Sequence, residues 1–452
     1  MNNNILKEIL YNKVQYLKYY KKIKPCKTIK KKIFLSHRNF YSMLKLNNPA
    51  FILEAKKASP SKGIINKNFN IEKIAKVYSK HATIISVLTD EKYFQGKLSS
   101  LTEMSQLTKQ PILCKDFFID PYQIYLSRYH QADAVLLMLS YLNDIQYHIL
   151  SNIAHSLNMG VLTEISNYTE LKRAITLNAK VIGINNRNFN NFHVSLNKTK
   201  ILAPLIPQNR IIISESGIQN NKQVNKLKKI VHGFLIGTEI MQAKNIALKV
   251  NSIIFGNNKI CGLTRSRDAK RIKDLGATHG GLIFVKNSLR NITIHQANKI
   301  ISSVKLKYVG VFQDEEIKKI QLICHKLNLY AIQLHGNENQ QYIQEIKRKL
   351  PKKIKIIKAL CINNYIKKIN FKYIDYFLFD NIRGGSGNCF NWNFIQLSNL
   401  DKIFLSGGLS EKNCQKAKKL NYFGLDFNSK IETSPGIKNY KKLKILFQKL
   451  KS

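Results

Sequence analysis

The sequence lacks any run approaching about 18 consecutive apolar residues, the length that a membrane-spanning helix needs. Its first residues, MNNNILKEILYNK, place Lys7 and Glu8 inside the only early apolar stretch, so no signal-peptide core is expected. Seven cysteines are scattered without a C-x-x-C pair, which argues against a zinc site or a disulfide framework. We therefore expect a soluble protein of the reducing cytoplasm with no membrane partner.

Acidic residues are also scarce, because 27 Asp and Glu stand against 74 Lys and Arg, for a formal net charge of +47. Such a charge favours nucleic-acid binding or, more weakly, attraction of anionic small molecules. However, Lys greatly outnumbers Arg, whose planar fork suits base and phosphate recognition, and the lysines are spread along the whole chain. We interpret the charge as dispersed surface lysine and predict no nucleic-acid partner. Nucleic-acid binding remains the alternative hypothesis.

The length of 452 residues exceeds the roughly 250–300 residues at which a single hydrophobic core stops growing, so two domains are expected. Short apolar runs rich in β-forming residues recur about every 20 to 30 residues, separated by charged helical stretches, as in repeated βα units. The predicted strands of the first half are Phe51–Glu54, Thr83–Leu88, Ile112–Lys115, Ala134–Met138, Val161–Glu164, Val181–Asn185, Ile211–Ser214 and Phe234–Ile236.

A turn-like segment, Gly256-Asn257-Asn258, precedes the second half. The predicted strands there are Lys259–Cys261, Gly281–Val285, Tyr308–Phe312, Ala331–Leu334, Ile354–Ala359, Tyr376–Phe379, Ile403–Leu405 and Gly424–Phe427. Neither half carries the G-x-G-x-x-G fingerprint of an open dinucleotide-binding sheet after its first strand. We therefore predict an α/β protein of two tandem (β/α)8 TIM barrels, with domains at residues 1–255 and 256–452. A helix over Ile5–Tyr20 is predicted to pack on the first barrel.

Polar residues follow the predicted strands of the first half. In a (β/α)8 barrel the catalytic groups lie at the carboxyl ends of strands and in the loops that follow. The residues at those positions are Glu54, Lys56, Lys115, Glu164, Asn185, Arg187, Glu215 and Ser216. We expect them to converge on one rim.

The first half resembles the indole-3-glycerol-phosphate synthase family in seven colinear motifs across roughly residues 1–255: LEAKKASPSKG, SVLTDEKYFQG, ILCKDFFIDPYQI, VLTEIS, GINNRNF, SESGI and GFLIGTEIM. The resemblance implies activation of a ketone carbonyl, attack by an aromatic ring carbon, loss of carbon dioxide and dehydration to an indole. A buried lysine with a lowered pKa can donate a proton to the carbonyl oxygen, and carboxylates can move protons during dehydration.

By this resemblance Lys115 is the general acid and Glu164 the proton-transferring carboxylate, supported by Glu54. The substrate-binding residues it implies are Lys56, Ser59, Asn185, Arg187, Glu215, Ser216, Gly217, Gly237 and Thr238. Ser216, Gly217, Gly237 and Thr238 follow the last two strands, where backbone N–H groups at helix N-termini favour a phosphate.

The second half resembles the phosphoribosylanthranilate isomerase family in eight colinear motifs across roughly residues 257–452: KICGLTRSRDA, GGLIFV, YVGVF, AIQLHGNE, FDNIRGGSGNCFNW, FLSGGL, GLDFNS and ETSPGIK. The implied reaction is an Amadori rearrangement, in which an acid protonates the ribose ring oxygen and a base removes a neighbouring carbon-bound proton. An Asp and a Cys can divide these roles if their environments separate their pKa values.

By this resemblance Asp380 is the general acid and Cys261 the general base. Arg290 is expected to bind the anthranilate carboxylate through its planar fork. The other substrate-binding residues implied are Gln333, His335, Gly385, Ser386, Gly407, Gly408, Asn428 and Ser429. The chain departs from the family pattern at Lys430, where a small residue is usual, and at Phe390-Asn391-Trp392.

The resemblance implies a bifunctional enzyme of tryptophan biosynthesis that needs no metal or organic cofactor, acts on phosphorylated small molecules and is a monomer. Because a barrel fold by itself does not determine function, other phosphosugar chemistry is the remaining alternative within the same fold.

Overall fold

A computed structural model describes residues 5–188, 191–362, 369–381, 391–397 and 399–452, and its strands close into two eight-stranded barrels. The chain divides into two compact units, one of Met1–Gln219 with Gln223–Val250 and one of Asn220–Lys222 with Asn251–Ser452. In each barrel consecutive strands are parallel neighbours and the last strand pairs with the first. The predicted α/β architecture of two tandem barrels is therefore confirmed.

The first unit alternates strands and helices after three N-terminal helices. Its elements are α1 (Ile5–Ile23), α2 (Cys26–Lys30), α3 (Phe40–Leu46), β1 (Ala50–Ala55), β2 (Ala58–Ser59), β3 (Gly63–Ile64), α4 (Ile71–His81), β4 (Ile84–Leu88), α5 (Glu91–Phe94), α6 (Ser99–Leu107), β5 (Ile112–Lys115), α7 (Pro121–Tyr129), β6 (Ala134–Met138), α8 (Asp144–Ser156), β7 (Gly160–Ile165), α9 (Tyr168–Thr176), β8 (Val181–Asn185), α10 (Asn197–Leu202), a 3-10 turn (Ala203–Leu205), β9 (Ile211–Glu215), α11 (Asn221–Leu227), β10 (Gly233–Ile236), α12 (Thr238–Met241) and α13 (Ile246–Ile254).

The second unit repeats the alternation. Its elements are β11 (Lys259–Ile260), α14 (Ser266–Leu275), β12 (His279–Ile283), α15 (Ile294–Ser303), β13 (Lys307–Phe312), α16 (Ile317–Lys326), β14 (Ala331–Leu334), α17 (Gln340–Lys349), β15 (Lys355–Cys361), β16 (Tyr376–Asp380), a 3-10 turn (Trp392–Phe394), β17 (Ile403–Leu405), α18 (Cys414–Lys419), β18 (Gly424–Phe427), a 3-10 turn (Ser429–Ile431), β19 (Glu432–Ser434), β20 (Ile437–Lys438) and α19 (Tyr440–Lys451).

The barrel strands are buried almost without interruption, because helices cover the outside and side chains fill the inside. Inward-facing residues such as Ile52, Leu113 and Leu136 form the core of the first barrel. Val309, Ile357 and related residues do so in the second. Burying one such side chain contributes about 1.5–3 kcal/mol. These cores are rigid supports for groups at the strand ends.

Local sequence determines where helices begin next to those strand ends. The Asp120 side chain accepts a hydrogen bond from the backbone N–H of Tyr122, and the Gln123 side-chain oxygen accepts one from the backbone N–H of Asp120, a capping box that starts α7. Because β5 ends at Lys115, this cap limits the intervening loop to a few residues.

The strand boundaries differ from the sequence prediction most clearly at β12, which is His279–Ile283 instead of Gly281–Val285. His279 and Gly280 lack the apolar pattern used to predict strands, but they pair in register with Lys307 and Tyr308 of β13. The predicted N-terminal helix extends to Ile23. Across the ranges described above, no helix has both the length and the apolar composition needed to cross a membrane.

Candidate active sites

The first barrel has a pocket of about 330 Å³ at the carboxyl ends of its strands, the N-terminal pocket. The predicted site residues that line it are Glu54, Lys56, Ser59, Lys115, Glu164, Asn185, Arg187, Ser216, Gly217, Gly237 and Thr238. Glu215 is the exception, because its carboxylate is completely buried beneath Lys115. The parallel strands explain this convergence, since all their carboxyl ends meet at one rim.

Lys115 ends β5 and is surrounded by carboxylates. Its Nζ lies 2.8 Å from Glu215 Oε2, 3.6 Å from Glu54 Oε2 and 4.0 Å from Glu164 Oε2. Burial lowers the pKa of Lys115, but the three carboxylates outweigh burial and raise that pKa above its ordinary value. The lowered pKa expected from sequence for a buried lysine is therefore wrong for Lys115, because that expectation considered burial without the carboxylates.

Glu164 is a buried acid next to Glu215. Burial and the Glu215 carboxylate raise the pKa of Glu164 to about 8, although Lys115 opposes the shift. Among the described residues Glu215 Oε1 has no hydrogen-bond partner, and the Glu215 carboxylate acts on Glu164. Two adjacent carboxylates do not both ionise readily, so one proton resides on this pair near neutral pH. Asn185 Nδ2 donates a hydrogen bond to Glu164 Oε1 at 3.0 Å and orients it.

Glu54 and Lys56 form an ion pair at the end of β1, with Lys56 Nζ 2.5 Å from Glu54 Oε1. Burial raises the pKa of Glu54, but Lys56 and Lys115 outweigh burial and lower it. Burial lowers the pKa of Lys56, and Glu54 only partly opposes that shift. A side chain at Gly237 would place its Cβ 2.1 Å from Glu54 Oε1, so only glycine fits there. The carboxylate thus packs directly against the loop after β10.

That loop and the one after β9 form the other side of the N-terminal pocket. Ser216 and Gly217 have φ angles of 65° and 90°, a left-handed turn that is costly for the serine. Thr238 begins the short helix α12 immediately after Gly237. The N-terminal end of α12 carries a partial positive charge, and the Arg187 and Lys56 side chains line the same pocket. Both favour the binding of an anion there.

Helix α1 forms an apolar wall of the N-terminal pocket through Ile5 and Ile9. Its Lys13 is 4% exposed and joins two loops of the barrel. Lys13 Nζ lies 2.8 Å from Asp90 Oδ2 and 2.7 Å from Asp116 Oδ1, the residue after Lys115. Burial opposes the charge on Lys13, but the two carboxylates raise its pKa above the ordinary value.

The second barrel has a pocket of about 830 Å³ at the carboxyl ends of its strands, the C-terminal pocket. The predicted site residues that line it are Cys261, Asp380, Arg290, Gln333, His335, Gly407, Gly408, Asn428 and Ser429. Gly385 and Ser386 lie outside the described residues. Two of the predicted catalytic groups, Cys261 and Asp380, thus share one cavity.

Burial raises the pKa of both Cys261 and Asp380. Asp380 ends β16 and accepts a hydrogen bond from the Asn381 backbone at 2.8 Å. Cys261 lies just beyond β11, where its backbone N–H donates to Phe427 O. A Cβ at Gly281 would lie 2.5 Å from Cys261 Sγ, so the missing side chain on β12 makes room for the thiol.

Lys259 and Asp426 form an ion pair inside the second barrel. The two residues are register partners on β11 and β18, and Lys259 Nζ lies 2.7 Å from Asp426 Oδ2. The Lys259 side chain is 0% exposed. Burial lowers the pKa of Lys259, but Asp426 outweighs burial and raises it. Asp426 Oδ1 has no hydrogen-bond partner among the described residues.

His335 and Gln333 face Asp380 from β14 and the loop after it. Gln333 Nε2 lies 2.9 Å from His335 Nδ1, which leaves Nε2 of a neutral imidazole as the protonated nitrogen. Burial, followed by the Lys259 charge, lowers the pKa of His335 to about 4. Nε2 lies 3.7 Å from Asp380 Oδ2. The neutral imidazole therefore lies near the proposed acid, just beyond hydrogen-bond distance.

Arg290 contacts a residue that sequence reasoning did not single out. Its Nε and Nη2 donate to Glu432 Oε2 at 3.0 and 2.8 Å, and Lys438 Nζ lies 2.6 Å from Glu432 Oε1. Lys438 Nζ also donates to Asn428 Oδ1 at 3.1 Å. The Arg290 fork is thus anchored to the loop that carries Asn428. Lys430, the departure from the family pattern, is exposed.

Lys13, Lys259, Asp426, Glu432 and Lys438 are the residues at these sites that sequence reasoning missed. A charged residue within an apolar strand signals a buried polar group, and this signal was available for Lys259 and Asp426. Lys13 has no such signal, since Asp90 and Asp116 are distant in sequence, and Glu432 lies outside the apolar strands, with Arg290 142 residues away. Within the described part of the chain, no cluster of three His, Cys, Asp or Glu side chains is arranged to hold a metal ion.

Comparison with known proteins places both halves in described families. Residues 6–253 match the family "Indole-3-glycerol phosphate synthase", and residues 258–449 match "N-(5'phosphoribosyl)anthranilate (PRA) isomerase". The tryptophan biosynthesis protein TrpCF of Buchnera aphidicola subsp. Diuraphis noxia is 53% identical over 451 residues, covering 100% of both chains. The protein of that name from Salmonella typhi is 47% identical over 448 residues, covering 99% of each chain.

Proposed function

The chain belongs to the indole-3-glycerol phosphate synthase family in its N-terminal half and to the phosphoribosylanthranilate isomerase family in its C-terminal half, and on this premise we infer that it is one bifunctional enzyme of tryptophan biosynthesis. The second barrel isomerises N-(5-phosphoribosyl)anthranilate to 1-(2-carboxyphenylamino)-1-deoxyribulose 5-phosphate. The first barrel converts that product to indole-3-glycerol phosphate with loss of carbon dioxide and water.

In the synthase reaction, Lys115 protonates the ketone oxygen of the substrate. The support is its position among Glu215, Glu54 and Glu164, which keep it charged until a substrate is bound. Glu164 then transfers a proton during dehydration, a role that suits a carboxyl group whose pKa is about 8. Glu54, Lys56 and Asn185 orient these groups and the substrate.

The substrate phosphate binds at the loops after β9 and β10. Backbone N–H groups of Ser216, Gly217, Gly237 and Thr238 supply neutral donors there, and Lys56, Arg187 and Ser59 line the same pocket. Glu215 acts from beneath the pocket on Lys115 and Glu164, so we replace its expected direct contact with substrate by an electrostatic role.

In the isomerase reaction, Asp380 protonates the ribose ring oxygen and Cys261 removes the proton from the adjacent carbon. Burial raises the pKa of Asp380, which favours the protonated acid. The neutral His335 imidazole, held by Gln333, lies 3.7 Å from Asp380 Oδ2, and its Nε2–H dipole stabilises the carboxylate formed when Asp380 releases its proton. We therefore propose that Asp380 and His335 act together.

The substrate of the isomerase carries negative charge at both ends. Arg290 lines the pocket and binds the anthranilate carboxylate with the N–H groups that do not contact Glu432, because Nε and Nη2 donate to Glu432 and fix the guanidinium in place. Gly407, Gly408, Asn428 and Ser429 bind the phosphate, together with Gly385 and Ser386 of the undescribed segment. Gly407 and Gly408 line the pocket and have φ angles of 83° and 62°, a left-handed turn.

We also propose a boundary between the two enzymes at residues 255 and 256. The compact units change over at Val250–Asn251, and the family matches end at residue 253 and begin at residue 258. Separate expression of residues 1–255 and 256–452 tests this boundary: each fragment should be folded and retain one activity. Loss of both activities from well-expressed fragments would contradict it.

The proposal includes three further properties of the whole chain. The protein is cytoplasmic, it is a monomer, and it has no nucleic-acid partner. Exposed lysines on helices of both units support the reading of its charge as solvated surface. Light scattering of the purified chain tests the monomer. Electrophoretic mobility of a duplex oligonucleotide at physiological salt tests the last point, because counterion-driven binding weakens steeply with salt.

The observation that carries the proposal is that each barrel has its own pocket at the strand ends, lined by the groups its reaction needs. Steady-state assays with each substrate test it. Lys115→Ala should abolish only the synthase reaction and Asp380→Asn only the isomerase reaction. If both reactions continue at wild-type rates in these variants, the assignment of the two sites is wrong.

A further inference from the structure

The isomerase role of Cys261 poses a physical problem, and the inference made here rests on that proposed role. A general base must act as thiolate, but the Cys261 side chain is buried, and burial disfavours the charged form. A buried cysteine without a compensating charge is chemically inert. Some group in the second barrel must therefore oppose the effect of burial.

Lys259 is placed to oppose it. Cys261 directly follows β11, and its backbone N–H donates to Phe427 O of β18, which continues the ladder by one residue. Side chains two residues apart in such a segment face the same side, so Lys259 and Cys261 lie on one face. Cys261 and Asp426 line the same pocket, and Lys259 Nζ lies 2.7 Å from Asp426 Oδ2, so the ammonium group is held next to the thiol, where its charge favours the thiolate. Gly281 on the neighbouring strand makes room for the thiol, because a Cβ there would lie 2.5 Å from Sγ.

Three charged groups act on the Cys261 sulfur. Lys259 and Lys438 favour the thiolate, and the Asp426 carboxylate disfavours it. Asp426 is nevertheless needed, because a fully buried ammonium without a counterion would lose its proton. The 2.7 Å contact between Lys259 Nζ and Asp426 Oδ2 keeps the lysine charged and fixes its position.

We propose that Lys259 is a positioning residue for the isomerase reaction, whose ammonium group, held by Asp426, stabilises the Cys261 thiolate in the buried pocket. A purely structural ion pair would contribute to folding but would leave the titration of the thiol unchanged. Measurements on Cys261 itself therefore distinguish a positioning role of Lys259 from a purely structural ion pair.

The first measurement is the rate at which iodoacetamide alkylates Cys261 as a function of pH, followed by mass spectrometry of the peptide that contains it. Peptide analysis is needed because Cys361 is exposed and also reacts. In Lys259→Met the midpoint of alkylation should rise by about one pH unit or more, since an opposite charge at short range typically shifts a pKa by about 1–3 units. A wild-type midpoint in the folded variant would overturn the proposal.

Lys259→Met leaves Asp426 buried without its cation and can destabilise the barrel. The double variant Lys259→Met with Asp426→Asn removes both charges, and its midpoint should also rise, by less than in the single variant. Lys259→Arg retains the cation and should restore much of the wild-type midpoint. If the double variant and Lys259→Arg titrate alike, the charge on Lys259 does not act on the thiol.

The chain offers a matched control in the same barrel. Lys358 and Glu338 form a second ion pair, with Nζ 2.6 Å from Oε2 and side chains 4% and 1% exposed. The double variant Lys358→Met with Glu338→Gln should leave the alkylation midpoint of Cys261 unchanged. An equal shift in this control would show a general effect of lost buried charge and would contradict the specific role of Lys259.

The second measurement is the pH dependence of isomerase kcat/KM. In the Lys259→Met, Asp426→Asn variant, activity at neutral pH should fall about tenfold and recover partly at higher pH, in parallel with the alkylation midpoint. Cys261→Ser separates the proposed role of Cys261 from the proposed role of Lys259. If that variant keeps full isomerase activity, the proposed role of Cys261 fails. If it is inactive while the Lys259 variants titrate normally, only the role of Lys259 fails.

Discussion

Lys115 Nζ lies 2.8 Å from Glu215 Oε2, and this carboxylate is completely buried at the base of the N-terminal pocket. Glu215 therefore contacts two of the groups proposed to transfer protons, Lys115 directly and Glu164 through a shared proton. Its charge keeps the lysine protonated and at the same time keeps the glutamic acid protonated. One buried carboxylate thus contributes to the ionisation of both, together with burial and Glu54.

Replacing Glu215 with Gln should lower the synthase kcat by about tenfold or more, in the range typical of disturbed acid–base catalysis. The pKa of Glu164 should fall, since its neighbouring negative charge is lost, and the corresponding limb of the pH–rate profile should move to lower pH. Steady-state rates between pH 6 and 9 test this. Isomerase activity of the same purified chain is the control. An unchanged synthase profile would mean that Glu215 has no influence on the reaction.

Lys13 should matter to the synthase although it lies on the N-terminal helix. Lys13→Met leaves Asp90 and Asp116 without their shared cation, which should destabilise the first unit by about 3 kcal/mol. Because Asp116 follows Lys115 and Ile5 and Ile9 line the pocket, synthase kcat/KM should also fall. Urea unfolding and the synthase assay measure the two effects.

Lys21→Met is a matched control on the same helix. Lys21 pairs with Asp120 at 2.6 Å, but the two side chains are 44% and 31% exposed. Exposed pairs contribute about 0–1 kcal/mol, so this variant should resemble the wild type in stability and activity. Equal losses in both variants would contradict a special role for Lys13.

Glu432 should support the isomerase by anchoring Arg290. Glu432→Gln releases the Arg290 fork and leaves Lys438, whose side chain is 0% exposed, without its carboxylate. We expect a higher KM for phosphoribosylanthranilate and a loss of about 3 kcal/mol in unfolding free energy. The double variant Glu432→Gln with Lys438→Met should regain unfolding free energy, but its KM should remain high. Recovery of both would indicate that Glu432 serves only to neutralise Lys438.

Histidine burial should make the second unit less stable in mild acid. The pKa of His335 is lowered from 6.5 to about 4 in the folded protein, so between these pH values the unfolded chain binds a proton that the folded chain does not. Stability therefore rises with pH across this window, by about 3 kcal/mol for this group at most. Denaturant unfolding of the wild type and His335→Asn at pH 4.5 and 7 tests this. The variant should lose part of the pH dependence, and identical dependence in the two proteins would contradict the assignment.

Much of the fold was predictable from sequence, because a strand in a covered parallel barrel must be apolar on both faces. The predicted bounds of β5, β6 and β8 agree with the structure residue for residue. The boundary of β12 was not predictable, since His279 and Gly280 join the strand only through their pairing with β13. Site positions were largely predictable as well, because the residue that ends a barrel strand lies on the shared rim.

The sequence by itself determined which polar groups lie at the strand ends, because the order of βα units carries Lys115, Glu164, Cys261 and Asp380 to their rims. Only the tertiary structure decided the ionisation of these groups. A pKa depends on burial and on charges that are near in space, and Glu215 is 100 residues from Lys115 in the chain. The same holds for Lys259 and Asp426, separated by 167 residues. No local pattern in the sequence encodes those distances.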